Sequence, residues 1–357
     1  MKKFILILMF LLTSIVSNSQ VVVSQEIYYR NEKVTPENFK KFKATTTIFI
    51  LSNIYEKEKY VKILTDSWKV TPFEVVNIDD FDFKNYLSDK YSFAMLNAKS
   101  WSEPGRGPIL FSAIEFFILD NVKISKKIEK VKNDYNKFQD LIKDNKIYVA
   151  GIHLSHDFAF IDLTINNVRT PQVITLSFIK SEYNTRYFNS PERNRKNDLF
   201  IFKVYSEKCF LNYNLGYLKN YFQTVSSLIS SEKSFELRET ESNQELNNLR
   251  KEVLFVPDFV KLKFNPMSIK ETELTSDEVN KIFSNYEYKY KLISTSDLET
   301  KILNKENFYY LDYVKVNNEK FVQIKNSLTG SIVLRYNDAA YNFKDNDMKK
   351  INKEINK

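Results

Sequence analysis

Histidine and cysteine are almost missing from this chain, with 2 and 1 in 357 residues. The one cysteine, Cys209, excludes an internal disulfide, so stability has to come from packing. It sits in the mostly apolar stretch Lys203-Val-Tyr-Ser-Glu-Lys-Cys-Phe-Leu211, which is read as the setting of a buried, inert thiol. Glycine is scarce too, at 5 residues, and neither a phosphate loop nor a dinucleotide fingerprint is present. No cofactor is expected. The nearest approach is Glu103-Pro-Gly-Arg-Gly-Pro108, which lacks the loop lysine and reads as a tight hairpin turn. After the first dozen residues no apolar run approaches membrane-spanning length, so no transmembrane segment is expected in the body of the protein.

What the N-terminus does have is the pattern of a leader. Lys2 and Lys3 precede an unbroken apolar run over residues 4–12, too short to cross a bilayer comfortably, and Ser17 and Ser19 place small side chains where a signal peptidase reads. Residues 1–19 are therefore expected to be a signal peptide cleaved before Gln20, giving an exported protein, periplasmic or extracellular. No cysteine near that junction could accept a lipid anchor. Loss of Lys2 and Lys3 would bring the formal charge from +8 to +6, with acids and bases interspersed. Such a mixed surface is not a nucleic-acid footprint, and no nucleic-acid partner is expected.

The pattern of the remaining chain is α/β. A mixed, charged extension covers 20–43. Residues 45–51 then read as a strand buried on both faces, and Asn53 with Glu56 has capping-box spacing ahead of Tyr60, Ile63, Leu64 and Trp68. Strand 73–78, a short helix over 79–88 and strand 91–96 come next. Ile124, Ile128, Val131, Tyr135, Phe138 and Ile142 step along what reads as one long amphipathic helix. Strands are expected at 146–152, 158–165 and 173–179. The polar stretch 182–198, with Arg186, Arg193, Arg195 and Lys196 around Pro191, reads as a loop, or alternatively as a basic patch facing phosphate or lipid. A helix is expected over 215–229, and a charged, serine-rich linker over 230–251. These readings give an α/β domain over 44–180, a loop and helical linker over 181–252, and a second α/β domain over 253–357, each with a mixed sheet. In the second half a strand opens at Val253 and is interrupted at Pro257, which is expected to forbid a central ladder position there. Thr275 and Glu278 form a capping box, and residues 290–299 align without gaps to 73–82, which suggests a distant internal duplication.

One constellation invites chemistry. Both histidines fall in Gly151-Ile-His-Leu-Ser-His-Asp157. On a helix, His153 and His156 could share a zinc with a carboxylate such as Asp157 and leave a position for water. The flanking segments instead favour strands joined at a turn, where rings three residues apart point to opposite faces. The favoured reading is thus a polar turn with surface histidines, and no catalytic, cofactor or metal residue is assigned. A metal-dependent hydrolase centred on His153 and His156 stands as the alternative.

Strand 290–294 leading into Asp297-Leu298, then Leu311-Asp-Tyr-Val314 and Phe321 to Leu334 with its Leu328-Thr-Gly-Ser-Ile-Val333 hairpin, resemble the domain shared by CsgG, LpoB and the N-terminal part of TolB. The chain as a whole resembles exported proteins of Bacteroidota type. The resemblance covers about the last 85 residues and implies a periplasmic, non-catalytic envelope role with protein or cell-envelope components as partners. This chain departs from that pattern: Asn317-Asn318 stand where glycine is usual, the anchor cysteine is absent, and no pore-forming hairpins can be named.

Overall fold

The computed structural model describes residues 20–25, 27, 32–102, 108–158, 174–176, 204–235, 241–265, 270–316 and 319–357. The turn expected at 103–107, most of the strand expected at 158–165, the basic stretch 182–198 and Asn317-Asn318 lie outside them.

The architecture is α/β, with two large mixed sheets. In the first, β1 (Val21–Val22) precedes α1 (Pro36–Lys43), β2 (Thr46–Ile50), α2 (Lys57–Ser67) and β3 (Phe73–Val75). The long strands β4 (Tyr91–Ser102) and β5 (Pro108–Leu119) come next, then α3 (Asn121–Val131), α4 (Tyr135–Lys143), β6 (Lys146–Leu154) and β7 (Ile174–Leu176). Spatially the strands run β1-β6-β5-β4-β2-β3, with β7 also on β4. As its apolar run requires, β2 is central, parallel to both β3 and β4. β4 and β5 pair from Ser92↔Ile118 to Ser102↔Pro108, as a hairpin should.

Two local expectations fail for identifiable reasons. The helix α2 starts at Lys57 with no side-chain cap from Glu56, because Asn53 N–H is tied instead to the Tyr205 carbonyl at 2.7 Å. The long amphipathic helix is two helices: Asp134 takes an extended conformation and its carboxylate accepts the Lys137 N–H at 3.1 Å, so it caps a new start at Tyr135.

Beyond these lies α5 (Leu215–Ser230), capped by Asn214, whose side chain accepts the Tyr217 N–H at 2.8 Å. After it come β8 (Glu241–Ser242), β9 (Leu254–Pro257), a small ribbon β10 (Leu262–Asn265) and β11 (Lys270–Glu273), and α6 (Ser276–Phe283) with the expected Thr275–Glu278 capping box. The chain closes with β12 (Tyr290–Ile293), α7 (Thr295–Leu303), β13 (Tyr309–Val316), β14 (Glu319–Asn326), β15 (Ile332–Asp338) and α8 (Asp345–Ile355). The second sheet runs β12-β9-β13-β14-β15-β8. Here β9 is central and ends at Pro257, which pairs on one side only. Its pairing with β13 covers only Leu254 and Phe255, so the imino nitrogen of the last residue interrupts nothing on that side.

The two sheets have the same order and sense. In each, a strand (β2, β9) is flanked by parallel neighbours, an edge strand (β3, β12) on one side and a longer strand (β4, β13) on the other. Two antiparallel strands (β5 and β6, β14 and β15) and a two-residue outer strand from upstream (β1, β8) complete each array.

Between them lies α5, inside the range read as a linker. Its buried residues include both ends of the helix, from Leu215 to Ile229, and it packs on α2 and α7. Gly216 permits the contact with α7, since a Cβ there would meet the Glu299 backbone at 3.0 Å. Most of the buried apolar side chains of both sheets and α5 belong to one continuous cluster, and Val22, Ile27, Phe111, Val314, Val316 and Phe321 form a second that also spans both sheets. No helix among the described residues is long and apolar enough to cross a membrane.

Phe222 of α5 sits 5.4 Å from the ring of Phe49, which in turn packs edge-on against Trp68 at 5.2 Å. Phe222→Ala should cost about 3–5 kcal/mol, and Trp68 emission and far-ultraviolet circular dichroism should shift together in urea. Separate transitions by the two probes would show that the halves melt independently.

Candidate functional site

The histidines do not occupy a surface turn. His153 lies on β6, opposite Ala113 of β5, and is wholly buried. Its backbone N–H donates to the Gln20 carbonyl at 2.6 Å. His156 comes just after the end of that strand, bridges to Phe210 and is 6% exposed. Loss of water drives both rings toward the neutral form: His153 is pushed down to about 4, opposed by a hydrogen bond to Ile27 and the charge of Glu115, and His156 down to about 3. The expectation of surface histidines is thus corrected. The run 147–154 is apolar enough to be drawn inside a central part of the sheet, and it takes its two histidines with it. Asp157 is half-buried, and its backbone N–H donates to the Cys209 carbonyl at 2.9 Å. Cys209 itself is buried, as expected. Among the described residues no group of three or more His, Cys, Asp and Glu converges as a metal site would require.

His156 Nε2 lies 2.8 Å from Ser112 Oγ, the contact a general base makes with a serine nucleophile. Proximity alone does not supply the chemistry. A ring whose conjugate acid titrates near 3 is a weak base at neutral pH, and Ser112 is itself only 1% exposed.

A polar assembly sits beside His153 and joins the two sheets. The Asn212 amide donates to the His153 carbonyl at 3.1 Å and to the Tyr221 hydroxyl at 3.3 Å, and its oxygen accepts the Ser155 N–H at 2.7 Å. Tyr221, on α5, donates to Asp312 Oδ1 on β13 at 3.1 Å. Gln20 Nε2 donates to the same carboxylate oxygen at 3.1 Å and to the Tyr221 hydroxyl. Opposite, Lys325 of β14 places its ammonium 3.2 Å from Asp312 and 4.2 Å from the centre of the Tyr221 ring. Both charged groups are fully buried. Desolvation therefore raises the Asp312 carboxyl and lowers the Lys325 ammonium, against the pull of each on the other. None of Gln20, Ser112, Asn212, Asp312 or Lys325 stands out in sequence. The one readable signal is a lone acid inside the apolar strand 309–314.

An open concavity lies elsewhere, at the far end of α5. A cleft of about 500 Å³ is bounded by Gln223, Thr224 and Ser227 of α5, by the turn residues Thr329, Gly330 and Ser331, and by Ser242, Asn243 and Arg335 opposite. Its walls are fixed by side-chain to backbone bonds. Gln223 donates to the Leu328 carbonyl at 3.0 Å and Thr224 to the Gly330 carbonyl at 2.8 Å. Gly330 has φ +70°, as its place in the expected hairpin demands, and a Cβ there would strike the Asn220 carbonyl at 2.7 Å. Arg335 lays its guanidinium 3.5 Å over the Phe235 ring and pairs with the half-exposed Glu241 at 3.0 Å.

Comparison with protein-family models, with curated proteins and with solved structures gives no match to this chain.

Two outcomes are expected. Because the folded histidine values lie below the ordinary value near 6.5, the unfolded chain binds more protons in between. Stability is therefore full above about pH 6.5 and falls as pH drops toward the folded values, on the order of 2 kcal/mol per ring by about pH 5. Urea midpoints at the two pH values measure this, and His156→Asn should remove part of the difference; an unchanged difference would discard the buried-ring explanation. Separately, Lys325→Met should cost about 3–5 kcal/mol by stranding the Asp312 carboxylate, and Asp312→Leu in the same chain should restore most of it. Additive losses would mean that the pair is not coupled.

Proposed function

We propose that this chain is an exported, non-enzymatic binding module of the periplasm or extracellular space, whose partner is a protein or another cell-envelope component. The observation that carries the reading is the cleft beside α5: an open concavity of mixed polar and apolar lining, with walls held in place by side-chain to backbone hydrogen bonds and with the Arg335–Glu241 pair in its lining. Export is supported by the leader-like residues 1–19. A non-catalytic role is supported by the state of the histidines, which are neutral, weakly basic and enclosed.

The shared strand order of the two sheets supports a further part of the reading, that the chain arose by duplication of one α/β unit. The envelope role implied by the likeness of the second half to CsgG, LpoB and TolB belongs to the same proposal. Duplication does not require the cleft to be repeated in the first half, because it is formed where α5, which precedes the second unit, meets the β14–β15 turn.

Ser227 and Thr329 are exposed on the cleft walls, so Ser227→Trp and Thr329→Trp fill it without entering the core. The full-length chain should fractionate outside the cytoplasm and co-sediment with isolated cell envelopes. The filled variants should keep the wild-type melting temperature and lose co-sedimentation at least tenfold. Retention in the cytoplasm would sink the export reading, and undiminished co-sedimentation of both variants would sink the assignment of the cleft.

A further inference from the structure

Among the described residues, the charged side chains that line the cleft beside α5 are Lys233, Glu241 and Arg335. Register brings two of them together, because Glu241 on β8 lies directly opposite Arg335 on β15. Arg335 is fixed in place. Its guanidinium lies 3.5 Å over the Phe235 ring, and the Phe235 backbone exchanges hydrogen bonds of 3.1 and 3.2 Å with Val23 at the end of β1. Only 5% of the Arg335 side chain meets solvent, so its planar fork is set before any ligand arrives.

Glu241 is held quite differently. Its carboxylate accepts from Arg335 Nε at 3.2 Å and lies 3.0 Å from Nη2, yet 46% of the side chain is exposed, on an outer strand of two residues. Lys233, a second cation beside it, is 3.7 Å away and also exposed. An ion pair with one member in water gains little net energy, and turning Glu241 outward exchanges the contact for hydration. Another carboxylate placed on the same edge of the guanidinium would restore the bonds given up, so the exchange at Arg335 is close to neutral. Net affinity then comes from what else the incoming group brings into the cleft, where Leu228, Phe235 and Ile332 supply the apolar part of the lining.

We propose that the cleft recognises a carboxylate on a protein partner, and that Glu241 holds the place of that carboxylate until the partner arrives. This rests on the cleft being the binding site and names the chemistry of what it binds. A fixed guanidinium suits the task, since it takes a carboxylate side-on through two N–H donors. With Glu241 turned out, the charges left in that lining set are the cations Lys233 and Arg335, which complement an acidic group and oppose a basic one. A protein carboxylate fits better than an acidic sugar. A sugar ring packs best on an open aromatic face, and the Phe235 ring carries the Arg335 guanidinium, whereas Leu228 and Ile332 suit an aliphatic side chain next to the acid.

The test is calorimetric titration of the full-length chain with an acetylated, amidated Ala-Val-Glu-Val-Ala peptide, with the same peptide carrying Gln for Glu, with that Gln peptide bearing a free C-terminal carboxylate, and with N-acetylmuramic acid. The Glu peptide should bind about tenfold tighter than the amidated Gln peptide, and about tenfold tighter again to Glu241→Ala, where nothing competes for that edge of Arg335. Arg335→Lys keeps the charge but not the fork and should lose about tenfold. Preference for either peptide carboxylate, on the side chain or at the chain end, supports the proposal, and the tighter of the two identifies the source. A Glu peptide that binds no better than the amidated Gln peptide, or not at all, overturns carboxylate recognition. Tighter binding of N-acetylmuramic acid than of both acidic peptides overturns the protein partner, and unchanged affinity in Glu241→Ala overturns the placeholder role. These results leave the cleft itself standing. Undiminished binding of the Glu peptide to Ser227→Trp would instead show that the site lies elsewhere, and both readings would fall together.

Discussion

The carboxylate of Asp312 and the ammonium of Lys325, 3.2 Å apart with no access to water, are the constraint around which the two sheets are assembled. An ion pair of this kind adds little net stability, because the desolvation of both groups offsets their attraction. What it imposes is arrangement. The carboxylate oxygen Oδ1 must find donors inside the protein, and it finds Tyr221 from α5 and Gln20, the residue just before β1 of the first sheet. Asn212 then ties Tyr221 to the His153 carbonyl on β6. A chain of hydrogen bonds thus runs from the second sheet through the central helix to the first, and each member is buried. Leaving any of them unmet would cost more than the bond itself contributes, so this network selects one relative placement of helix and sheets.

The same economy appears in the residue types used. The links that cross the core are hydroxyls and amides: Tyr310 donates to Asn220, Asn220 to the Ser327 carbonyl, and Tyr60 to the Ser52 carbonyl. Burial raises the phenols of Tyr60, Tyr221 and Tyr310 well above their ordinary range, so they remain neutral donors at any physiological pH. Among the described residues two other buried ion pairs share the Asp312 pattern. Lys146 meets Glu115 at 3.1 Å and lies 4.3 Å over Phe117, and Lys320 meets Asp347 at 2.6 Å. Each charge enters the interior with its partner supplied by a neighbouring strand or helix.

Periodicity made the α/β class legible, because strands such as β2 and helices such as α5 and α6 carry their pattern within a dozen residues. The capping box at Thr275 was readable for the same reason, and so was the conformation of Gly330. Contacts between distant residues were not legible. Nothing near Asn53 announces that its N–H will go to Tyr205, and nothing near Pro257 announces that β13 stops two residues short of it. The histidines fail in a similar way. The flanking apolar residues gave the strand but ended it at Ile152, two residues short of Leu154, and whether that strand lies at a surface or under α5 depends on residues about 60 positions away, as the Asn212 bond to the His153 carbonyl shows. The pair Asp312 and Lys325 is legible only once β13 and β14 are set side by side.

Placement of the cleft results from these same constraints. α5 is anchored at its N-terminal half, where Gly216 touches the Glu299 backbone and Tyr217 and Tyr221 stack at 6.0 Å above the second sheet. Its C-terminal half is therefore carried past the β14–β15 turn at a fixed height. Gln223 and Thr224 reach the turn carbonyls and hold it there, which is possible only because Gly330 can take φ +70° with no Cβ facing Asn220. A gap remains where helix, turn and β8 fail to meet, lined by hydroxyls and amides of all three together with Leu228, Phe235 and Ile332. Rigid walls of this sort lower the entropy cost of binding, since little has to be ordered when a partner arrives.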